Sequence, residues 1–101
     1  TSRILIRTAA QLQSKFKHAA AFGVKGSYSP ANAAAFSRAL HQHVNSSGVR
    51  LIKGTYHKNT VIHYLDPRTG LNVMADPAGN FISGWKLSPL QLENVLLHGG
   101  L

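Results

Sequence analysis

The chain has 101 residues, 44% of them hydrophobic, which is enough to build one compact domain that folds alone. Eleven Lys and Arg residues stand against three acids, Asp66, Asp76 and Glu93, for a formal charge of +8, and so few carboxylates argue against two-metal nuclease centres and glycosidase carboxylate pairs. Cysteine is absent, which removes disulfides, thiolate catalysis and cysteine-held zinc.

The chain opens on Thr1-Ser2-Arg3 with no initiator methionine, as expected of the end of a longer protein. Thr8 and Gln11 form a T-x-x-Q capping pattern, after which Leu12, Phe16, Ala19 and Ala20 fall on one helical face until Gly23, predicting a first helix over residues 9–22. Ser29-Pro30 supplies an N-cap with proline at the first helical position, and Ala33, Phe36, Leu40 and Val44 form the apolar stripe of a second helix. From Gly48 the texture changes to short β-branched and aromatic runs, "VRLIKGTY", "TVIHYL", "LNVMA" and "FISGW". Turn residues "HKN", "DPRTG" and "DPAGN" separate them. Ser88-Pro89 with Gln91 repeats the capping chemistry and starts a terminal helix through Leu90, Leu92, Val95 and Leu96. The expected fold is α+β: N-terminal helices packed on a twisted antiparallel sheet of about four strands, with a short C-terminal helix, in one domain over residues 1–101.

The positive charge implies a polyanionic partner, nucleic acid first, an anionic membrane surface or an acidic protein second. No apolar run is long enough to span a bilayer. Histidines His41 and His43 are two apart on a helix and diverge, with no carboxylate nearby in sequence, so no metal site is expected. With His57, His63 and His98 they read as surface or boundary histidines, although the face that His63 occupies in its strand is open.

His18 differs in its company. In "KFKHAAAFG" Lys15 and His18 are helical neighbours and Lys17 flanks them, so two ammonium groups disfavour the imidazolium and attract a phosphodiester. A neutral imidazole among cations suits metal-free RNA cleavage, which needs a base for the 2′-hydroxyl and positive charge at the phosphorus oxygens. In "NFISGWKLSP", strand alternation places Phe81, Ser83 and Trp85 on one side and Ile82 and Gly84 on the other. Either side can be the buried one, and Gly84 marks a bulge or a close backbone approach.

These stretches, with "KGTYHKN" and "LDPRTGLNVMADPAGNFISGWKLSP", resemble in order and spacing the nuclease domains of the colicin D family and related domains of contact-dependent inhibition proteins, from Lys15 to Leu92. The resemblance implies a metal-independent tRNA endonuclease of the barnase, EndoU, colicin and RelE-like fold group. It also implies a domain at the end of a longer secreted protein, delivered from one bacterium to act in the cytoplasm of another. On it, His18 is the catalytic base, Lys15 and Lys17 bind the scissile phosphate, Ser83 hydrogen-bonds a phosphate oxygen and Trp85 stacks on a base. Lys86, Lys53, Tyr56 and Lys58 complete the substrate-binding set, and no cofactor is implied. The implied partners are tRNA and an acidic cognate immunity protein, with a host translation factor as a further one. Departures from the family are Ala21, where an acid is usual, and the hairpin at residues 57–63. The general acid is open among Lys15, Lys17, His57 and water. The rival reading is a basic RNA-binding module without catalysis.

Overall fold

The computed structural model describes residues 4–6 and 8–101, so the opening Thr1-Ser2-Arg3 lies outside the described residues. Helix α1 (Ala9–Lys15) starts where the Thr8 hydroxyl accepts the Gln11 backbone N–H, and Gln11 in turn donates its side-chain amide to the Phe81 carbonyl. The predicted helix over 9–22 does not continue as an α-helix. At Phe16 the chain tightens into a 3₁₀ helix (Phe16–Phe22) that ends at Gly23, whose φ of 85° lies in the left-handed region that glycine enters without strain. With three residues per turn, Phe16, Ala19 and Phe22 share the core face, whereas a 3.6-residue period would have carried Ala20 there; Ala20 is exposed.

Helix α2 (Pro30–Val44) is capped by the Ser29 hydroxyl and buries Ala33, Phe36, Leu40 and Val44 as expected. Its Phe36 and His43 receive the 3₁₀ helix: Phe16 meets Phe36 edge-on at 5.8 Å, and Phe22 lies 6.0 Å from Phe36 and 5.7 Å from His43. Such aromatic pairs contribute about 0.5–1.5 kcal/mol each beyond burial. They fix the short helix at both ends.

Strands β1 (Arg50–Tyr56), β2 (Asn59–Leu65), β3 (Leu71–Ala75) and β4 (Phe81–Lys86) form an antiparallel meander in sequence order. One face, with Tyr64, Val73, Ala75 and Phe81, packs on Phe36, Leu40, Val44 and Ala19. The other carries Leu65 and Trp85 and packs on Leu87, Val95, Leu92 and Leu101 around helix α3 (Pro89–His98). A bulge between Met74 and Ala75 breaks the alternation of β4. Phe81 therefore enters the helix-side core while Ser83 and Trp85 turn to the α3 side, which corrects the expectation that all three share a face.

His63 is likewise not a surface histidine; it is fully buried. Its Nε2 donates to the Gly99 carbonyl at 2.8 Å, leaving Nδ1 to accept from the Asn72 amide at 3.1 Å. That arrangement uses both nitrogens of a neutral ring, and it strands Asn72 Oδ1 without a partner, at a cost of about 1–3 kcal/mol. The same Gly99 carbonyl accepts from Thr55 N–H, and Leu101 N–H donates to Thr55. In this way the C-terminal residues cover the free edge of β1. Gly54 makes this possible, since a Cβ there would lie 1.8 Å from the Gly99 oxygen.

Gly54→Ala is expected to lower stability by about 1–3 kcal/mol, read from the urea midpoint, because the added Cβ must push the Gly99 carbonyl off Thr55 and His63. Burial holds the pKa values of His63 and His43 below the ordinary histidine value. The unfolded chain then takes up protons first, so stability is full above about pH 6.5 and falls as the pH drops toward the folded-state values. Denaturation midpoints between pH 7.5 and 5 should show this decline, and His63→Gln should make it shallower.

Candidate active site

The 3₁₀ helix sits against β4 through Gly84, where an added Cβ would meet Phe22 Cζ at 3.2 Å and the Asn72 carbonyl at 3.2 Å. The close approach expected at this glycine is thus made by the element that carries His18. Lys15 ends α1 as the N-cap of the 3₁₀ helix, and His18 lies one turn into that helix, off the Phe16–Ala19–Phe22 core face. The His18 ring reaches the Trp85 indole, with centroids 5.8 Å apart and planes at 36°.

Trp85 is itself fixed on two sides. Its Nε1–H donates to Gln91 Oε1 at 3.3 Å, the same oxygen that accepts the Ser88 N–H in the capping box of α3. Its ring also lies 5.8 Å from Tyr56. In register Trp85 aligns through Asn72 and Leu65 with Arg50, at the far end of β1 from Tyr56. The sheet's twist must therefore fold these opposite corners toward each other over the α3 side. Tyr56 in turn packs against its chain neighbour His57, with centroids 4.1 Å apart and planes tilted by 49°. The result is a continuous row of rings, His18, Trp85, Tyr56 and His57.

The imidazole of His18, half-buried in this row, has its pKa lowered by burial first, then by Lys17, then by Lys15. All three effects favour the neutral ring, which can take a proton at neutral pH. Two of the three carboxylates are committed to turns: Asp66 accepts from Arg68 between β2 and β3, and Asp76 from Ala78 and Asn80 between β3 and β4.

Of the residues singled out in the sequence, the fold brings His18, Lys15, Lys17, Trp85 and Tyr56 together. Ser83 is on the same face as Trp85 but only 1% exposed, so its hydroxyl lies beneath the row and not on its open surface. Lys58 stands exposed in the β1–β2 turn beside His57. Lys86 is exposed next to Trp85 on the opposite side of β4. Lys53 is not part of the cluster: it pairs with Ile62, across from Ala75, and so points to the helix side of the sheet, away from Tyr56. Gln91 was legible only as a capping residue; its second bond, to Trp85, depends on where β4 ends. Among the described residues no three side chains of His, Asp or Glu come together, and no helix is long and apolar enough to cross a membrane. A shallow groove of about 350 Å³, lined by Pro89, Leu92, Glu93, Leu96 and Leu97, lies on α3 and includes none of the row.

Residues 11–95 match the Colicin D family. The chain belongs to this family. The match spans both Lys15–His18 and the β4 segment with Trp85, so the cluster falls inside the Colicin D region. Among solved structures, the chain is similar to a ribonuclease from Escherichia coli complexed with its inhibitor protein. The two share 31% identity and a TM-score of 0.79, with 90% of this chain and 100% of that chain covered. No curated protein matches the chain.

The histidine C2 proton of His18 should titrate below the ordinary value by NMR. Lys17→Met should raise its midpoint, and Lys15→Met should raise it by less, in the order of their influence on the ring.

Proposed function

We propose that this Colicin D family domain is a ribonuclease toxin that cuts tRNA without a metal ion, for use between competing bacteria. The observation that carries the reading is the His18 imidazole, held neutral between Lys17, Lys15 and the Trp85 indole. A neutral imidazole accepts the 2′-hydroxyl proton, the 2′-oxygen attacks phosphorus, and Lys15 and Lys17 offset the charge that develops on the phosphoryl oxygens. The products are a 2′,3′-cyclic phosphate and a 5′-hydroxyl. DNA, which lacks the attacking group, is spared.

Trp85 and Tyr56 form the wall along which the RNA lies, with Trp85 also setting the position of the His18 ring. Lys58 contributes positive charge beside the Tyr56 end of that wall, where phosphates flanking the cut would pass, while Lys86, on the other face of β4, adds to the general positive field around Trp85. Ser83 supports the site from below.

The relation to a ribonuclease that is complexed with its inhibitor supports a second element of the reading, a cognate immunity protein. With a formal charge of +8 on this chain, an inhibitor that covers the phosphate-binding cleft presents carboxylates to Lys15, Lys17 and His18. Delivery from a producing cell and action in the cytoplasm of its target follow from the same reading.

Total tRNA incubated with the domain and EDTA should be cut, and His18→Ala should lose on the order of 100-fold or more in rate. Intact tRNA with the unaltered protein, under conditions where a gel shift shows binding, would favour an RNA-binding module instead.

A further inference from the structure

Trp85 is the only tryptophan of the chain, and its indole is the ring that packs against His18, with centroids 5.8 Å apart. An indole at a half-buried strand position can satisfy its N–H with water and turn about its side-chain torsions, so its orientation needs a partner. Gln91 supplies it. Trp85 Nε1–H donates to Gln91 Oε1 at 3.3 Å. The same oxygen accepts the Ser88 backbone N–H at 3.0 Å, and the Gln91 N–H donates in return to the Ser88 hydroxyl at 3.2 Å.

The acceptor is anchored independently of the ring it meets. Buried Leu87, in the link from β4 to α3, donates its N–H to the Gly70 carbonyl, and the Leu92 N–H closes the first turn of α3 on the Ser88 carbonyl. Pro89 at the start of the helix stiffens the link, and Val95 seats the helix in the core patch that Trp85 borders. A capping box is complete once Ser88 and Gln91 have exchanged their bonds. The bond to the indole is additional, and it ties the first turn of α3 to the ring beside the proposed base.

We infer that Gln91 is a positioning residue of the active site: its Oε1 holds the Trp85 indole in the orientation that packs against the His18 imidazole. The catalytic consequence rests on the ribonuclease reading above. Without that acceptor the indole turns, the His18 ring gains water, and the imidazolium forms more readily. Once protonated, His18 no longer takes the 2′-hydroxyl proton.

The test follows three signals in each variant: the single indole N–H proton, the titration of the His18 C2 proton by NMR, and the pH dependence of cleavage of total tRNA in EDTA. Gln91→Met removes the acceptor on a side chain of similar length, and Gln91→Glu keeps an acceptor. Ser88→Ala weakens the same cap but leaves the Gln91 oxygen and the Ser88 backbone N–H in place. In Gln91→Met the indole N–H should exchange with water roughly 2- to 10-fold faster, as expected for the loss of one hydrogen bond. The His18 midpoint and the acid limb of the cleavage profile should move up together. Ser88→Ala should leave both in place even where its urea midpoint falls, and Gln91→Glu should keep the indole N–H protected. In a Trp85→Phe background, which has no indole donor, adding Gln91→Met should move the His18 midpoint no further. Equal movement of that midpoint in Gln91→Met and Ser88→Ala, an unmoved midpoint in Gln91→Met, an indole no better protected in Gln91→Glu than in Gln91→Met, or an undiminished shift in the Trp85→Phe background would each overturn the assignment. The NMR signals need no cleavage, so if the unaltered domain leaves tRNA whole, the ribonuclease reading fails while the placing of Trp85 by Gln91 is still decided.

Discussion

The contact between the His18 imidazole and the Trp85 indole depends on how tightly the chain winds between Phe16 and Phe22. An α-helix through this stretch would put Ala20 toward the core and leave Phe22 off the shared face. The 3₁₀ winding instead seats Phe16 and Phe22 on the aromatic side chains of α2 and presses Phe22 onto Gly84 of β4. His18 is then carried to the edge of β4, where Trp85 stands on the far face. A tighter helix has poorer hydrogen-bond geometry, and the aromatic packing offsets that cost.

A second constraint acts at the other end of the site. The twist of the sheet brings Tyr56 to Trp85, and the C-terminal segment keeps the β1–β2 hairpin in place through Thr55, His57 and the buried His63. The stranded Asn72 oxygen shows that this anchoring is not free of cost. The reactive row is thus suspended between two devices, the 3₁₀ helix on one side and the tail-locked hairpin on the other. On the proposed reading this suits a catalyst that must hold its base against a phosphodiester without help from carboxylates.

Much of the fold was legible locally. Thr8, Ser29 and Ser88 cap the three α-helices at the expected positions, and each β-branched run became a strand. What was missed depended on contacts between distant segments. The 3₁₀ winding left a trace in the three-residue spacing of Phe16, Ala19 and Phe22, but that spacing competes with the helical pattern through Leu12. The bulge in β4 split Phe81 from Ser83 and Trp85, and nothing in "FISGW" announces which residue is the extra one. His63 is buried by a carbonyl at Gly99, far along the chain. The separation of Lys53 from Tyr56 was readable, since residues an odd number apart on a strand face opposite ways. As for the site, the Lys15–Lys17–His18 cluster followed from helical neighbourhood, whereas its meeting with Trp85 came only with the resemblance and the fold.

The central claim is that a neutral His18 works on a ribose hydroxyl. The most direct measurement is cleavage, in the presence of chelator, of an RNA carrying a single 2′-deoxy nucleotide on the 3′-phosphate side of the mapped cut. The account predicts that this one substitution leaves the strand intact at that position, while the all-ribose control is cut to a 2′,3′-cyclic phosphate. Scission of the deoxy-substituted strand at the same bond would contradict it, because the attacking oxygen would then come from elsewhere.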